Sequence, residues 1–204
     1  SSAASDVYKR QVNSIVKVGA AKLVSSESYR NPVKVQAGET THNTLSSEQQ
    51  TIVTEVLTDF DAGRRQTYLI HGITGSGKTE VYMQLIGEMI KRGRQAIVLI
   101  PEIALTYQTV RRFYNRFGAQ VSIINSKLSA GERNDQFERA KNGEISVMIG
   151  PRSALFTPFP ALGIIIIDEE HEASYKSETV PRYHARETAI PVSYTHLTLP
   201  TIRL

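Results

Sequence analysis

Gly72-Ile73-Thr74-Gly75-Ser76-Gly77-Lys78-Thr79, GITGSGKT, is the stretch from which the rest of the chain is read. It fits G-x-x-x-x-G-K-[ST], and its surroundings are those the motif needs. Thr67–His71 before it reads as a short strand. After it, apolar positions at helical spacing continue to about Lys91. A glycine-rich turn between strand and helix curls backbone N–H groups around a phosphate, and the helix N-terminus adds a favourable dipole. Gly72, Thr74, Gly75, Ser76 and Gly77 are therefore expected to cradle the phosphates. Lys78 is expected to reach the β- and γ-phosphates, and the Thr79 hydroxyl to ligate Mg²⁺. The competing reading, a glycine-rich turn with an accidental lysine, does not account for the strand–helix context.

Ninety residues on, the nearly all-apolar Gly163–Ile167 runs into Asp168-Glu169-Glu170-His171. An acid at the end of a buried strand is the second half of such a site. Asp168 is expected to hold Mg²⁺, and Glu169 to orient and polarise the attacking water. Alone, the run could be a solvated acidic patch. Paired with the phosphate loop it predicts nucleoside-triphosphate hydrolysis, with Lys78 and Glu169 as the catalytic residues.

Outward from these motifs the chain alternates between strand and helix. Ser46 or Ser47 can cap a helix carrying Ile52, Val53, Val56, Leu57 and Phe60 at a 3.6 period. Strands are predicted at Ala96–Ile100, Val121–Asn125, Ser146–Ile149 and Gly163–Asp168, with helices at Leu105–Phe117 and Ala130–Asn142. Strands apolar on both faces and separated by helices indicate an α/β fold, a mostly parallel sheet covered on both sides. Tyr175, Lys176, Arg182, Tyr183, His184 and Arg186 crowd the segment after the acidic motif. Interleaved aromatics and cations can stack on bases and grip phosphates. The other reading is that Tyr183 packs inward and the cations are solvated.

The D-E-x-H form of the acidic motif resembles the superfamily-two helicases. GITGSGKTEVY, PEIALT (Pro101–Thr106), IGPRSALFTPF (Ile149–Phe159), IIIIDEEHEASYK and PRYHARETA are similar, in order and spacing, to the primosomal replication-restart DNA helicases of that superfamily. The likeness runs from about Ser46 to Ile190 and implies a RecA-like P-loop NTPase lobe at residues 45–190. It implies ATP-dependent 3′-to-5′ DNA translocation and unwinding, in the service of primosome assembly at stalled forks. Gln49 matches the glutamine that reads the adenine edge, which favours ATP over GTP. His171 would couple the nucleotide site to a later motif. Thr106 and Arg152 fall in segments that face the single-strand backbone, and Tyr175, Lys176, Arg182, Tyr183 and Arg186 fall in an aromatic-rich loop linking DNA to hydrolysis. Where Pro151 stands, the family often has a residue with a backbone N–H. Residues 12–33 resemble the end of a winged-helix DNA-binding domain, with 34–44 a polar linker. Implied partners are forked and single-stranded DNA, single-strand binding protein and primosome components. A second lobe and a zinc-binding region are expected only beyond this stretch. Other superfamily-two translocases, and a nucleotide- or DNA-binding module without turnover, are the alternatives.

The ends read differently. One oligonucleotide, read on its two strands, encodes both SSAASDVYKRQ (Ser1–Gln11) and VSYTHLTLPT (Val192–Thr201). Residues 1–11 and 191–204 are therefore expected to be adapter-derived tails that add nothing to the fold. The 204 residues carry a net charge of +4, and discounting Lys9, Arg10, Arg203 and Asp6 leaves about +2, too little to argue for nucleic acid. With no cysteine the chain has no disulfide framework or Cys-ligated metal. No apolar run approaches the ~18–20 residues of a membrane span, and a cytoplasmic, nucleoid-associated protein is expected.

Overall fold

The structure, a computed structural model, describes residues 11–20, 22, 44–64, 66–73, 75–195 and 201–203, with 194, 195 and 201–203 as backbone only. The first ten residues, most of the expected wing and linker (21, 23–43) and the loop residue Thr74 lie outside that set.

The strands are β1 (Thr67–Leu69), β2 (Gln95–Leu99), β3 (Val121–Ile123), β4 (Val147–Gly150), β5 (Leu162–Ile167) and β6 (Thr201–Arg203). They form one sheet in the order β1-β6-β5-β2-β4-β3, and every pairing is parallel. A helix at residues 11–17, α1, ends before Gly19 at φ 73°. It is followed by α2 (Ser47–Asp61), α3 (Lys78–Lys91), α4 (Tyr107–Phe117), α5 (Ala130–Lys141) and α6 (Ala185–Thr195).

The central strands explain why the sequence shows no alternation there. Ala96, Val98, Val147, Ile149, Ile164 and Ile166 point to one face and pack with Val53 of α2, Leu85 and Ile86 of α3 and Phe113 of α4. Their neighbours Ile97, Leu99, Met148, Ile165 and Ile167 point to the other, against Ala140 of α5 and Ala185 and Ala189 of α6. With both faces dry, every position of the strand is apolar.

Helix starts follow local chemistry. Ser46 caps α2 in a reciprocal box with Gln49, and Ser129 caps α5 with Glu132. By contrast α3 begins at Gly77, in the left-handed region at φ 83° and with no side-chain cap. Its first N–H groups are left for another acceptor.

Two elements depart from expectation. Helix α6 starts at the end of the run of cations and aromatics, where no helix was expected, and its Ala185 and Ala189 are small enough to lie against β5. The expectation that residues 191–204 stay off the fold does not hold. Helix α6 continues through Pro191, with Ser193 buried and Val192 packed on the second cluster. Strand β6 then fills the slot between β1 and β5, Ile202 standing opposite Tyr68 on one side and Ile166 on the other. The cause is main-chain: a gap between two parallel strands offers rows of N–H and C=O groups that any extended segment can satisfy.

Candidate nucleotide and nucleic-acid site

The phosphate loop leaves the carboxyl end of β1 and the acidic motif leaves the carboxyl end of β5, so both open on the same edge of the sheet. That edge is where ligands bind in open α/β sheets. In the loop Lys78 Nζ donates to Gly72 O (2.6 Å) and Ile73 O (3.1 Å), so the ammonium lies across the loop that a phosphate would occupy. Gly75 and Gly77 sit at φ 85° and 83°. A Cβ on Gly77 would stand 2.4 Å from Gln49 Nε2, so both conformation and space demand glycine.

Gln49 arrives from the first turn of α2. Its Nε2 donates to Ser76 O (2.9 Å), and its Oε1 accepts the Ser46 N–H (2.9 Å). The residue expected to read a base is thus also a strut beneath the loop, with one further N–H and one lone pair left for a purine edge.

Asp168 follows the last residue of β5. Its Oδ2 accepts from the Tyr82 hydroxyl (3.3 Å), and its Oδ1 from Glu169 N–H (3.0 Å). Burial, and then the charge of Glu169 beside it, push the Asp168 carboxyl above the usual range. Thr79 lies one turn before Tyr82 on α3. Tyr82 is buried, and its phenol is pushed well up by burial first and Asp168 second. Sequence reading did not single it out, although its i+3 spacing from Thr79 puts both on one helix face. Glu169 is exposed and holds φ 48°, a left-handed conformation that a non-glycine residue adopts at a cost and often at a reacting centre. His171 is exposed beside it.

The donor set suits Mg²⁺. The Thr79 hydroxyl and the Asp168 carboxylate are both hard oxygens, and that ion prefers few protein ligands plus phosphate and water. A cation there also offsets the charge crowding at Asp168.

The expected nucleic-acid residues divide. Thr106 is exposed and caps α4, its Oγ1 accepting Thr109 N–H at 3.3 Å. Lys176 and Arg182 are exposed. Arg152 Nη1 donates to Ser174 O (2.8 Å) and Lys176 O (3.0 Å), pinning the loop after the acidic motif. Arg186 pairs with Glu170 of that motif at 3.1 Å. Tyr183 is half-buried and meets the exposed Phe156 edge-on, ring centres 5.2 Å apart. Phe156 was not singled out by sequence.

Tyr175 is a correction. It is 1% exposed, and its hydroxyl lies 2.6 Å from Asp168 O and 2.9 Å from Leu99 O. Its phenol ties the ends of β5 and β2 together and cannot reach a strand in solvent. Above it opens a cleft of about 230 Å³ lined in part by Glu102, Asn125, Ser126, Arg133, Arg152 and Ser153. Arg133 Nε is buried there without a hydrogen-bond partner among the described residues.

Residues 42–196 match the family described as "Type III restriction enzyme, res subunit". The chain belongs to that family. Among curated proteins this family member is similar to replication restart protein PriA of Bacillus subtilis, 43% identical over 186 residues, covering 91% of this chain and 23% of that protein. It is similar to PriA of Rickettsia conorii at 37% over 190 residues, 91% of this chain and 28% of the other. It is also similar to PriA of Haemophilus influenzae at 47% over 147 residues, 72% and 20%. The chain thus spans 20–28% of the length of these relatives. Among solved structures, RecG bound to a three-way DNA junction superposes with a TM-score of 0.61 at 23% identity, over 79% of this chain and 21% of that one. The helicase MrfA superposes at 0.55 and 15%, over 79% and 26%. The fold is the expected RecA-like helicase lobe, α/β with a parallel sheet.

Proposed function

We propose that this chain is the nucleotide-binding lobe of an ATP-dependent DNA helicase of replication restart, translocating 3′ to 5′. The observation that carries the reading is the convergence of Lys78 and Thr79 with Asp168 and Glu169 at one sheet edge, in a chain 37–47% identical to PriA relatives over 72–91% of its length. Gly72 to Gly77 and the free N–H groups of α3 bind the phosphates, and Lys78 shifts from loop carbonyls to the β- and γ-oxygens. Gln49 reads adenine. Thr79 and Asp168 hold Mg²⁺, which neutralises charge on the phosphate oxygens when bound. Glu169 orients and polarises the attacking water. His171 passes the state of the site to a motif outside this stretch.

Single-stranded DNA lies across the same edge. Thr106 and Arg152 face its backbone, and the cleft beneath Arg133 and Arg152 suits a phosphodiester, because guanidinium donors fit phosphate oxygens. Lys176, Arg182, Tyr183 and Arg186, with Phe156, form the face that senses the strand. The Arg186–Glu170 pair then links DNA engagement to the acidic motif. Forked DNA, single-strand binding protein and primosome components are the proposed partners, in the cytoplasm and on the nucleoid. A zinc-binding region and a second lobe belong to the rest of the protein. Hydrolysis in a cleft between two lobes leaves this lobe alone a weak binder with poor turnover.

ATP hydrolysis measured with and without forked DNA, on this chain and on the complete gene product, tests the reading. DNA-stimulated hydrolysis is expected of the complete protein, and Lys78→Ala should abolish it while fork binding stays near wild type. More than about a tenth of wild-type hydrolysis in that variant would contradict the role of Lys78, because removing a phosphate-clamp charge costs several kcal/mol in the transition state.

A further inference from the structure

We propose that Tyr82 is a positioning residue that orients Asp168, a protein ligand of the divalent cation, through one buried hydroxyl. The inference rests on the nucleotide-site reading above and concerns a residue outside the phosphate loop and the acidic motif.

Three observations carry it. Tyr82 lies three residues after Thr79 on α3, so the two side chains share a helix face, and its ring is 1% exposed. The ring is held by Phe113 of α4, stacked at 17° with centres 6.0 Å apart, which leaves the hydroxyl little choice of direction. That hydroxyl donates to Asp168 Oδ2 at 3.3 Å.

A phenol has one proton and can also accept. Asp168 has only acceptors when ionised, so the Tyr82 proton goes to Oδ2. That bond stops the carboxylate from rotating, since Oδ1 is held by the Glu169 N–H at 3.0 Å. The carboxylate is thereby set before a cation arrives, which is the preorganisation a weakly coordinating site needs. Because Phe113 belongs to the helix that Thr106 caps, the same ring joins the nucleotide site to the proposed DNA face.

Tyr82→Phe removes only the hydroxyl. Binding of a fluorescent ATP analogue to this chain, in EDTA and across a Mg²⁺ titration, reads the effect directly. Wild type and Y82F should bind equally in EDTA. The Mg²⁺ concentration at half-maximal enhancement should rise about tenfold in Y82F. Phe113→Leu, which loosens the ring but keeps the phenol, should lower the melting temperature with a smaller Mg²⁺ shift. An unchanged Mg²⁺ midpoint in Y82F overturns the inference alone. So does an equal loss with and without Mg²⁺, or a variant that does not fold, since each makes Tyr82 a core residue only. Wild type that binds no nucleotide in either condition overturns the site reading and this inference with it.

Discussion

Tyr175 and Tyr82 show how much one buried hydroxyl can decide. Each sits in a dry environment where an unmade hydrogen bond is costly, and each spends its hydroxyl on the acidic motif: Tyr82 on the Asp168 carboxylate, Tyr175 on the Asp168 carbonyl. Tyr175→Phe should therefore cost about 1–2 kcal/mol of stability, read as a lower urea midpoint with an unchanged slope. Single-strand affinity should not change. Loss of that affinity at wild-type stability would return Tyr175 to the DNA face. The sequence placed it there because its chain neighbours are Lys176 and Arg182, and a run of aromatics and cations carries no direction in space. The loop's conformation was legible for the opposite reason: Gly75 and Gly77 hold φ 85° and 83°, a demand on the backbone that residue type and spacing alone foretell.

At the scale of elements, α2 and β1 are locked by Asp59. Its carboxylate accepts from Arg64 Nε (2.7 Å), Gln66 Nε2 (3.2 Å) and the Tyr68 hydroxyl. The Tyr68 hydrogen bond first, and the Arg64 guanidinium second, hold the Asp59 carboxyl below its usual value of 3.8. A group whose folded pKa is depressed adds stability that is present above its unfolded pKa and is lost as pH falls through the folded one. Asp59→Asn should lower the melting temperature at pH 7. The gap between variant and wild type should then close as pH drops below about 3.8. Thermal denaturation from pH 7 down past pH 3.8 checks this, and a gap that does not narrow at all below that value would mean that geometry rather than charge makes the lock. Positioning the phosphate loop depends on it, since β1 leads straight into Gly72.

At the scale of the molecule, the sheet is continuous only because β6 bridges β1 and β5. Among the described strands, β1 pairs with nothing else. Removing residues 196–204 should expose both edges, lower the melting temperature by several degrees and strip amide protection from Thr67–Leu69. Nucleotide affinity should weaken with it, because the loop springs from β1. Hydrogen exchange over that strand decides the matter: unchanged protection would show that α2 and α3 hold β1 without a ladder.

What could be read from residues alone was whatever depends on type and local spacing. Apolar strands at Gln95–Leu99, Val147–Gly150 and Leu162–Ile167, the serine caps of α2 and α5, and the glycine–lysine loop all follow from period, capping chemistry and backbone freedom. The position of Asp168 and Glu169 at the end of a buried strand also follows from the apolar run before them. Three other features came from packing across the chain: Tyr82 facing Asp168 from 86 residues away, Tyr175 turned under β5, and 201–203 drawn into the sheet. Each reflects groups distant in sequence competing for the same buried hydrogen bonds, and that competition exists only once the layers have closed on one another.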